Sequence, residues 1–366
     1  MLFLGEASNY SKKAVFSHLF AFGLDEDATN LRNFLTIHYG ATTDHVALTN
    51  SGRSALSLVI SALVPQKSKI VINAFTCKAV LDALKSANCT PVYADISEKD
   101  LNYTPETLEK IVKNDPKIKG FILQNTLGNP VEIEKFQKIA KTYNLKIIED
   151  LAHCAGRFYP NGREIGTVGD AAALSFGKGK AIDTITGGAA ILKNPLLPPL
   201  KTPTRRPKFS DSLRARWYPF FGLIARGLEK IHLEKIFLGI LLKIHWIERS
   251  ADLELNLSVR PTYWQSKLAL KQLKNLGNEH RAPIRDFKLV KNRDDLLKKL
   301  KKAGFDFNET WYDVPISPAR YYKTLNFPEK NFPIAKRVSE EIINLPTNYE
   351  KSALKPALKI IKEYEK

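Results

Sequence analysis

The sequence predicts an α/β protein in which a mainly parallel sheet is flanked by helices, followed by a smaller C-terminal α+β domain. Between residues 69 and 149, short apolar runs alternate with helical patterns of about a dozen residues. Such alternation requires crossover connections, and crossovers join parallel strands. The chain has 366 residues, 44% of them hydrophobic, which is enough to bury one large and one small core.

Each element has its own pattern. Residues 12–40 are helical and charged, and residues 45–63 form a short strand, a Ser-Gly turn and an apolar helix. We expect further strands at 70–72, 91–94, 120–124, 146–149, 171–174, 189–192 and 287–290. Further helices are expected at 78–87, 105–113, 133–143, 263–276, 293–303 and 334–343. The predicted large domain covers residues 1–255 and the small domain residues 256–366.

Charge and cysteine content narrow the class of protein. The net charge of +18 favours nucleic acid, a membrane surface or acidic substrates as partners. No basic strand with interleaved aromatics and no recognition helix is evident, so we expect no nucleic acid. Cys77, Cys89 and Cys154 match no metal-ligand spacing and cannot all pair, which indicates a reducing compartment and no metal. The first residues form too short an apolar run for a secretory signal, so a cytoplasmic location is expected.

The start of the helix after residue 51 is a candidate anion site. A helix begins at the Ser51-Gly52-Arg53-Ser54 turn, and its first amides and positive dipole end can bind a phosphate. The Arg53 guanidinium lies within reach of the same position. A helix that is merely well capped would have the same pattern.

Two carboxylates end the strand at 146–149. Side chains alternate along a strand, so only one of Glu149 and Asp150 can point into a site at its carboxyl end. Asp150 is the candidate, although a strand-end acid can also be a helix cap or a surface charge. His153 follows three residues later and is either a site residue or a buried core histidine.

The loop from Ser175 to Gly188 holds two lysines among glycines, between two apolar runs. Burial lowers the pKa of a lysine and exposes a free amine for carbonyl chemistry. An anion site near residue 52, an acid at 150 and a lysine near 180 are the parts that a pyridoxal 5'-phosphate enzyme of fold type I needs, in that chain order.

The chain resembles the DegT/DnrJ/EryC1/StrS family of sugar-nucleotide aminotransferases. The resemblance rests on an ordered set of segments: 49–56, 73–77, 91–96, 148–156, 166–170, Ser175-Phe176 with Lys180 and Gly187-Gly188, and 344–347. It implies that Lys180 carries the cofactor covalently and that Asp150 pairs with the pyridine nitrogen. It also implies that His153 lies near the ring hydroxyl, that Ser175 binds the phosphate, and that the amides of Gly52, Arg53 and Ser54 complete the phosphate site.

The chain departs from the family pattern at four places. Arg53 stands where the family usually has Thr, and Ser258 where an Asn from the partner subunit often reaches the phosphate. Cys77 aligns with the aromatic residue that commonly stacks on the cofactor ring, and Phe75 is an alternative for that role. Residues 280–285, in a region of substrate contacts, are shorter than in the family.

The resemblance implies a homodimeric aminotransferase that moves an amino group from glutamate to a nucleotide-linked keto-sugar for cell-surface glycan synthesis. Lys180 argues against the family's dehydratases, which have a histidine there. Two alternatives stay open: another pyridoxal-phosphate reaction on the same scaffold, or a catalytically inactive member with a regulatory or membrane-tethering role.

Residues 204–249 are a basic, apolar insertion relative to the family. Residues 201–250 hold eleven Lys or Arg against four Asp or Glu, a net charge of +7. Apolar residues from 233 to 247 recur at helical spacing and predict one stripe of about four turns. The insertion is too interrupted by charge to span a membrane. It is an internal helix, a partner surface, or an amphipathic element at the inner face of the membrane, with Trp217, Tyr218 and Trp246 at headgroup level over anionic lipid.

Overall fold

The computed structural model describes residues 2–3, 10–228, 231, 233–276, 284–307, 310–347 and 351–365. Its strands are β1 Leu2–Phe3, β2 Val46–Thr49, β3 Lys69–Asn73, β4 Thr76–Cys77, β5 Thr90–Ala94, β6 Ile118–Leu123, β7 Lys146–Asp150, β8 Ala171–Ser175, β9 Gly188–Leu192, β10 Arg285–Leu289, β11 Phe305–Asp306, β12 Ile316–Ser317 and β13 Ile342–Pro346.

The helices lie between these strands in the predicted alternation. They are α1 Lys12–Leu19, α2 Asp25–Tyr39, α3 Gly52–Leu63, α4 Lys78–Ser86, α5 Pro105–Lys113, α6 Ile133–Tyr143, α7 Phe209–Leu228, α8 Glu234–Lys243, α9 Tyr263–Lys274, α10 Arg293–Lys302, α11 Ala319–Tyr322, α12 Pro333–Glu341 and α13 Lys351–Lys362.

Seven strands form the central sheet in the order β2-β9-β8-β7-β6-β3-β5. The neighbours from β8 to β5 pair in parallel, whereas β9 is antiparallel to both β8 and β2. The predicted mainly parallel sheet is confirmed. Because β2, β7 and β8 run in one direction, their carboxyl ends meet at one edge, and the antiparallel β9 begins there.

Alternation along the strands separates two apolar cores, one on each face of the sheet. On one face Ile72 and Ile148 pack with apolar residues of α3 and α4. On the other face Val71 and Ile147 pack with residues of α2, α5, α6 and α9. The result is three layers, helix on sheet on helix, with one sheet edge left for a site.

The C-terminal part has a core of its own. Strands β10 and β13 pair antiparallel, and α10 and α13 contribute apolar residues to the same cluster. Residues 342–343, which we expected to end a helix, begin β13 instead, because the buried run Ile342–Pro346 pairs with β10. Helix α9 belongs to the predicted small domain but packs against the large sheet. The domain boundary near residue 255 stays a prediction.

The insertion consists of two helices, α7 and α8, of which α8 carries the apolar stripe predicted for residues 233–247. Helix α7 packs on α1 and α9: the Arg216 guanidinium donates to the Leu19 and Ala21 carbonyls, and Tyr218 meets Tyr10 edge to face. Tyr218 is therefore half-buried against Tyr10, whereas the membrane alternative placed it at headgroup level. Helix α8 ends at Lys243, so the helical stripe is shorter than predicted. Within the described residues, no helix is both long and apolar enough to cross a membrane.

Candidate active site

A cavity of about 800 Å³ opens at the carboxyl edge of the sheet. The structure brings to it residues that are far apart in sequence, from the turn before α3, the end of β7 and the loop after β8. Six of the predicted site residues line this cavity: Gly52, Arg53, Cys77, Asp150, Ser175 and Lys180. The other two, Ser54 and His153, are buried directly behind its wall.

Both lysines of the loop line the cavity, but their ammonium groups have different partners. The Lys180 ammonium group acts electrostatically on both Asp150 and His153. The Lys178 ammonium instead donates to the Glu248 carbonyl and lies 4.1 Å from the centre of the Tyr218 ring, in the insertion. The geometry therefore favours Lys180 for chemistry and gives Lys178 the role of joining the loop to the insertion.

The carboxylates at the end of β7 also separate, as alternation requires. Glu149 is fully buried and accepts hydrogen bonds from the Tyr159 hydroxyl and from the Gly166 and Val168 amides, with Lys193 at 3.4 Å. Asp150 faces the cavity, where its Oδ1 accepts from the Ala152 amide at 2.9 Å. Burial raises the pKa of Asp150, and this amide and Lys180 oppose the rise. A cationic group bound beside Asp150 in the cavity would lower this pKa again and favour the ionised carboxylate.

His153 is held as a neutral imidazole. Its Nδ1 accepts from the Leu127 amide at 3.1 Å, and its Nε2 lies 3.2 Å from the Tyr312 hydroxyl oxygen. Burial lowers its pKa well below the usual value, and the positive charges of Lys180 and Arg285 lower it further. Because Nδ1 is an acceptor, the ring proton is on Nε2 and is donated to Tyr312.

The start of α3 and the end of β8 form the candidate phosphate site. Ser51 caps α3 by accepting from the Ser54 amide, and the Ser54 hydroxyl donates to Asn50 and contacts the Asn256 carbonyl. Gly52 approaches β8 so closely that an added Cβ would lie 2.6 Å from Ser175 Cβ. The missing side chain keeps the Ser175 hydroxyl and the helix terminus together, which is an arrangement suited to a phosphate.

The Arg53 guanidinium is engaged away from the helix terminus. It donates to the Leu253 and Ser250 carbonyls and forms an ion pair with Asp82 at 3.3 Å. The guanidinium therefore anchors the segment that follows the insertion. Arg53 contributes to the candidate phosphate site only through its backbone in the first turn of α3. The sequence indicated only that the Arg53 guanidinium could reach the phosphate position, and it did not reveal these carbonyl partners.

Trp311 and Tyr312 form part of the cavity wall. Trp311 stacks on His153 with ring centres 5.5 Å apart, and Lys180 Nζ lies 4.3 Å from the centre of its ring. The Asn344 side chain bonds to both the amide and the carbonyl of Trp311. Cys77 lies near the Tyr312 hydroxyl and contributes to its raised pKa, although burial is the larger cause.

Sequence reasoning missed the residues that hold the lysine loop in place. Asp183 accepts from the Gly179 and Ile185 amides and from the Tyr10 hydroxyl at 2.8 Å. The Gln265 amide donates to two carbonyls of the loop. Ile185 has a positive φ of 72°, a costly conformation for a β-branched residue.

Comparison with known structures identifies the class of fold. The PLP form of Spr1654 from Streptococcus pneumoniae superposes with a TM-score of 0.67 at 18% identity, covering 96% of each chain. Helicobacter pylori PseC, an aminotransferase of pseudoaminic acid biosynthesis, gives 0.67 at 19% identity over 100% of each chain. The chain therefore has the fold-type I architecture of pyridoxal-phosphate-dependent aminotransferases, as predicted.

Sequence comparison supports the resemblance to one family of aminotransferases. Residues 32–200 match the model of the DegT/DnrJ/EryC1/StrS aminotransferase family. The dTDP-3-amino-3,6-dideoxy-alpha-D-galactopyranose transaminase of Aneurinibacillus thermoaerophilus is 25% identical over 310 residues, which cover 81% of this chain and 78% of the relative. The predicted resemblance to the DegT/DnrJ/EryC1/StrS aminotransferase family is therefore confirmed over this part of the chain, and the predicted class of enzyme is confirmed by the transaminase relatives.

The residues of the cavity fit pyridoxal phosphate. The space at Gly52 that a Cβ would fill, beside the Ser175 hydroxyl and the α3 terminus, suits the phosphate. A buried carboxyl at Asp150 and a cavity-facing amine at Lys180 suit the pyridine nitrogen and the aldehyde. Among the described residues, no group of His, Cys, Asp and Glu could hold a metal ion.

Proposed function

We propose that this protein is a pyridoxal-phosphate-dependent aminotransferase that transfers an amino group from glutamate to a nucleotide-linked keto-sugar for cell-surface glycan synthesis. The observation that carries the proposal is the meeting of Lys180, Asp150 and the Gly52–Ser175 cradle in one cavity at the sheet edge. The name of the Aneurinibacillus relative, a dTDP-amino-sugar transaminase, supports a nucleotide-linked sugar as substrate.

Each residue has a role that follows from its position. The first amides of α3 and the Ser175 hydroxyl bind the phosphate. Asp150 would hold a proton at the pyridine nitrogen, and the protonated ring would supply an electron sink. His153 is neutral and is oriented by the Tyr312 hydroxyl. Lys180 Nζ would hold the cofactor between turnovers and, as a free amine, would move the proton from the substrate carbon.

The charge of the cavity suits a nucleotide diphosphate. Seven basic residues line it against three acidic ones: Arg53, Lys78, Lys178, Lys180, Arg249, Arg293 and Arg320 against Asp150, Asp294 and Asp313. Some of these cations have partners, since Arg320 pairs with Asp252 and Lys78 with Asp82. The excess of positive charge still favours an anionic substrate.

Cofactor trapping tests the proposal directly. Reconstitution with pyridoxal phosphate followed by borohydride reduction should fix the cofactor on Lys180, as located by peptide mass mapping. Lys180→Ala should abolish the adduct, and Lys178→Ala should retain it because Lys178 points into the insertion. An adduct that persists in Lys180→Ala, or none in the wild type, would refute the assignment and favour an inactive family member.

Substrate screening then separates the two enzymatic alternatives. Nucleotide-linked keto-sugars supplied with glutamate should yield amino-sugar nucleotides and 2-oxoglutarate, detected by mass spectrometry. A trapped cofactor without transamination of any such sugar would favour another reaction on this scaffold. We also propose the homodimer that the resemblance implies, and the mass measured by analytical ultracentrifugation tests it.

We also propose that the insertion contacts the inner face of an anionic membrane, which places the protein in the cytoplasm. Ile236 and Ile240 on α8 are 61% and 54% exposed, and Leu233 and Ile244 extend the same face. Exposed Lys235 and Lys243 border it. An exposed apolar stripe beside basic residues is typical of interfacial helices.

Liposome co-sedimentation tests this contact. Replacing Ile236 and Ile240 by Glu should abolish binding to vesicles that contain phosphatidylserine. The matched control is Ile37→Glu on α2, at a position 82% exposed and outside the insertion, which should leave binding unchanged. Equal binding by the wild type and the double variant, or no binding by the wild type, would contradict the proposal.

A further inference from the structure

The cavity has few aromatic rings with which to cover a cofactor. Within the described part of its lining, only Trp311 and Tyr312 are aromatic. Cys77, which aligns with the usual stacking residue, has no ring. Phe75 was the alternative, but its side chain is 0% exposed and packs in the core between the two parts of the chain, away from the cavity.

Tyr312 is fixed in the wall by its neighbours. Its hydroxyl lies 3.2 Å from His153 Nε2, and its ring meets Phe75 edge to face at 5.3 Å. The ring is buried, so little of it is available to a ligand. Its contacts give Tyr312 the task of orienting His153.

Trp311, unlike Tyr312, presents its ring to the cavity beside Lys180. It is only partly buried, and its ring centre lies 4.3 Å from Lys180 Nζ, the nitrogen proposed to carry the cofactor. A flat group attached to that nitrogen is therefore brought beside the indole. The indole also lies at 24° to the His153 ring, so the two rings form nearly parallel layers at the base of the cavity.

The orientation of Trp311 is held by residues of the C-terminal part. Asn344 on β13 accepts from the Trp311 amide and donates to its carbonyl at 3.2 Å. The Arg285 guanidinium at the start of β10 lies 4.0 Å from the centre of the indole. These contacts fix the ring before any ligand arrives, which reduces the entropy lost on binding.

We infer that Trp311 stacks on the pyridine ring of the cofactor, taking the role that Cys77 cannot perform. The inference rests on the proposed function and concerns a residue contributed by the C-terminal part. Trp311 is a cofactor-binding residue in this view.

Cofactor titration tests the inference. The dissociation constant of pyridoxal phosphate, measured from its absorbance change, should rise about three- to tenfold in Trp311→Leu, the range expected for loss of one aromatic stack. Trp311→Phe should restore most of the affinity. Trp217→Leu, the same change at a tryptophan that does not line the cavity, should leave the affinity unchanged.

Fluorescence provides a second measurement that does not depend on activity. The chain has four tryptophans, and the cofactor quenches those nearest to it. The quenched fraction of the emission should fall in Trp311→Phe and stay the same in Trp217→Phe. Circular dichroism confirms that each variant is folded.

The outcomes separate the inference from the proposed function. Unchanged or tighter cofactor binding in Trp311→Leu, with Lys180 still trapped, would overturn the stacking role and leave the aminotransferase assignment intact. Absence of a Lys180 adduct in the wild type would overturn both. Weaker binding in Trp311→Leu, rescue by Phe and loss of quenching would together support the inference.

Discussion

Gly52 packs so closely on Ser175 that a side chain at position 52 would clash with it, and the effect of this clash can be predicted. In Gly52→Ala the new Cβ would lie 2.6 Å from Ser175 Cβ and 2.8 Å from its Oγ. Carbon atoms pack best at about 3.5–4.0 Å, so the overlap is about 1 Å. Ser175 ends a central strand and Gly52 begins a helix packed on it, so neither can move alone.

Overpacking of this kind costs about 1–3 kcal/mol of stability. The gain from replacing a helical glycine by alanine is about 0.5–1 kcal/mol and offsets part of the loss. We therefore expect Gly52→Ala to be less stable by about 1–2 kcal/mol. Because the shift separates the helix terminus from the Ser175 hydroxyl, cofactor affinity should also fall about tenfold or more.

Urea unfolding and cofactor titration measure the two effects. Gly227→Ala in α7 is the matched control, since an added Cβ there meets nothing within 4 Å, and it should not destabilise the protein. In a double-mutant cycle, Ser175→Gly removes both atoms that clash, so Gly52→Ala should cost less stability in that background. Equal costs in the two backgrounds, or unchanged cofactor affinity in Gly52→Ala, would refute the reasoning.

Three further predictions follow from single contacts. Glu149→Gln should lower stability by about 3 kcal/mol or more in urea unfolding, because an amide group would face buried N–H donors. Asp150→Asn should change stability little, because Asp150 faces the cavity. Equal losses would contradict the assignment of the two side chains to opposite faces of β7. Lys178→Met should still be trapped by borohydride at the wild-type position, and a shifted adduct in the peptide map would contradict its structural role. Glu164 raises the pKa of His38, so this pair stabilises the fold below pH 6.5 and the gain is lost as pH rises through the folded pKa. His38→Gln should then reduce stability by up to about 1 kcal/mol at pH 6 and not at pH 9, and a loss of equal size at both values would exclude the pair as its cause.

Local patterns were sufficient for the framework of the protein. Hydrophobic periodicity gave the strands and helices of the large sheet, because their alternation of period 2 and 3.6 follows from burial on fixed faces. The same alternation singled out Asp150 over Glu149 at the end of β7. The error at 342–343 came from pairing with a distant strand, which no local pattern encodes.

The insertion shows where local reading fails. Both of its helices carry apolar residues, but α7 packs on α1 and α9 while the apolar face of α8 stays exposed. Which apolar face is covered depends on neighbours that are distant in sequence. The stripe therefore predicted a helix but not what the helix packs against.

The sequence by itself determined the parallel sheet, the chain order of the anion site, the acid and the lysine, and thereby the resemblance to the family. These properties lie in short segments whose residues and spacing specify their own conformation. Tertiary structure decided that the Lys178 ammonium binds the Glu248 carbonyl, where the Arg53 guanidinium is bound, and that Trp311 lies against Lys180. Those contacts join positions 70 to 200 residues apart, and only packing of the whole chain brings such positions together.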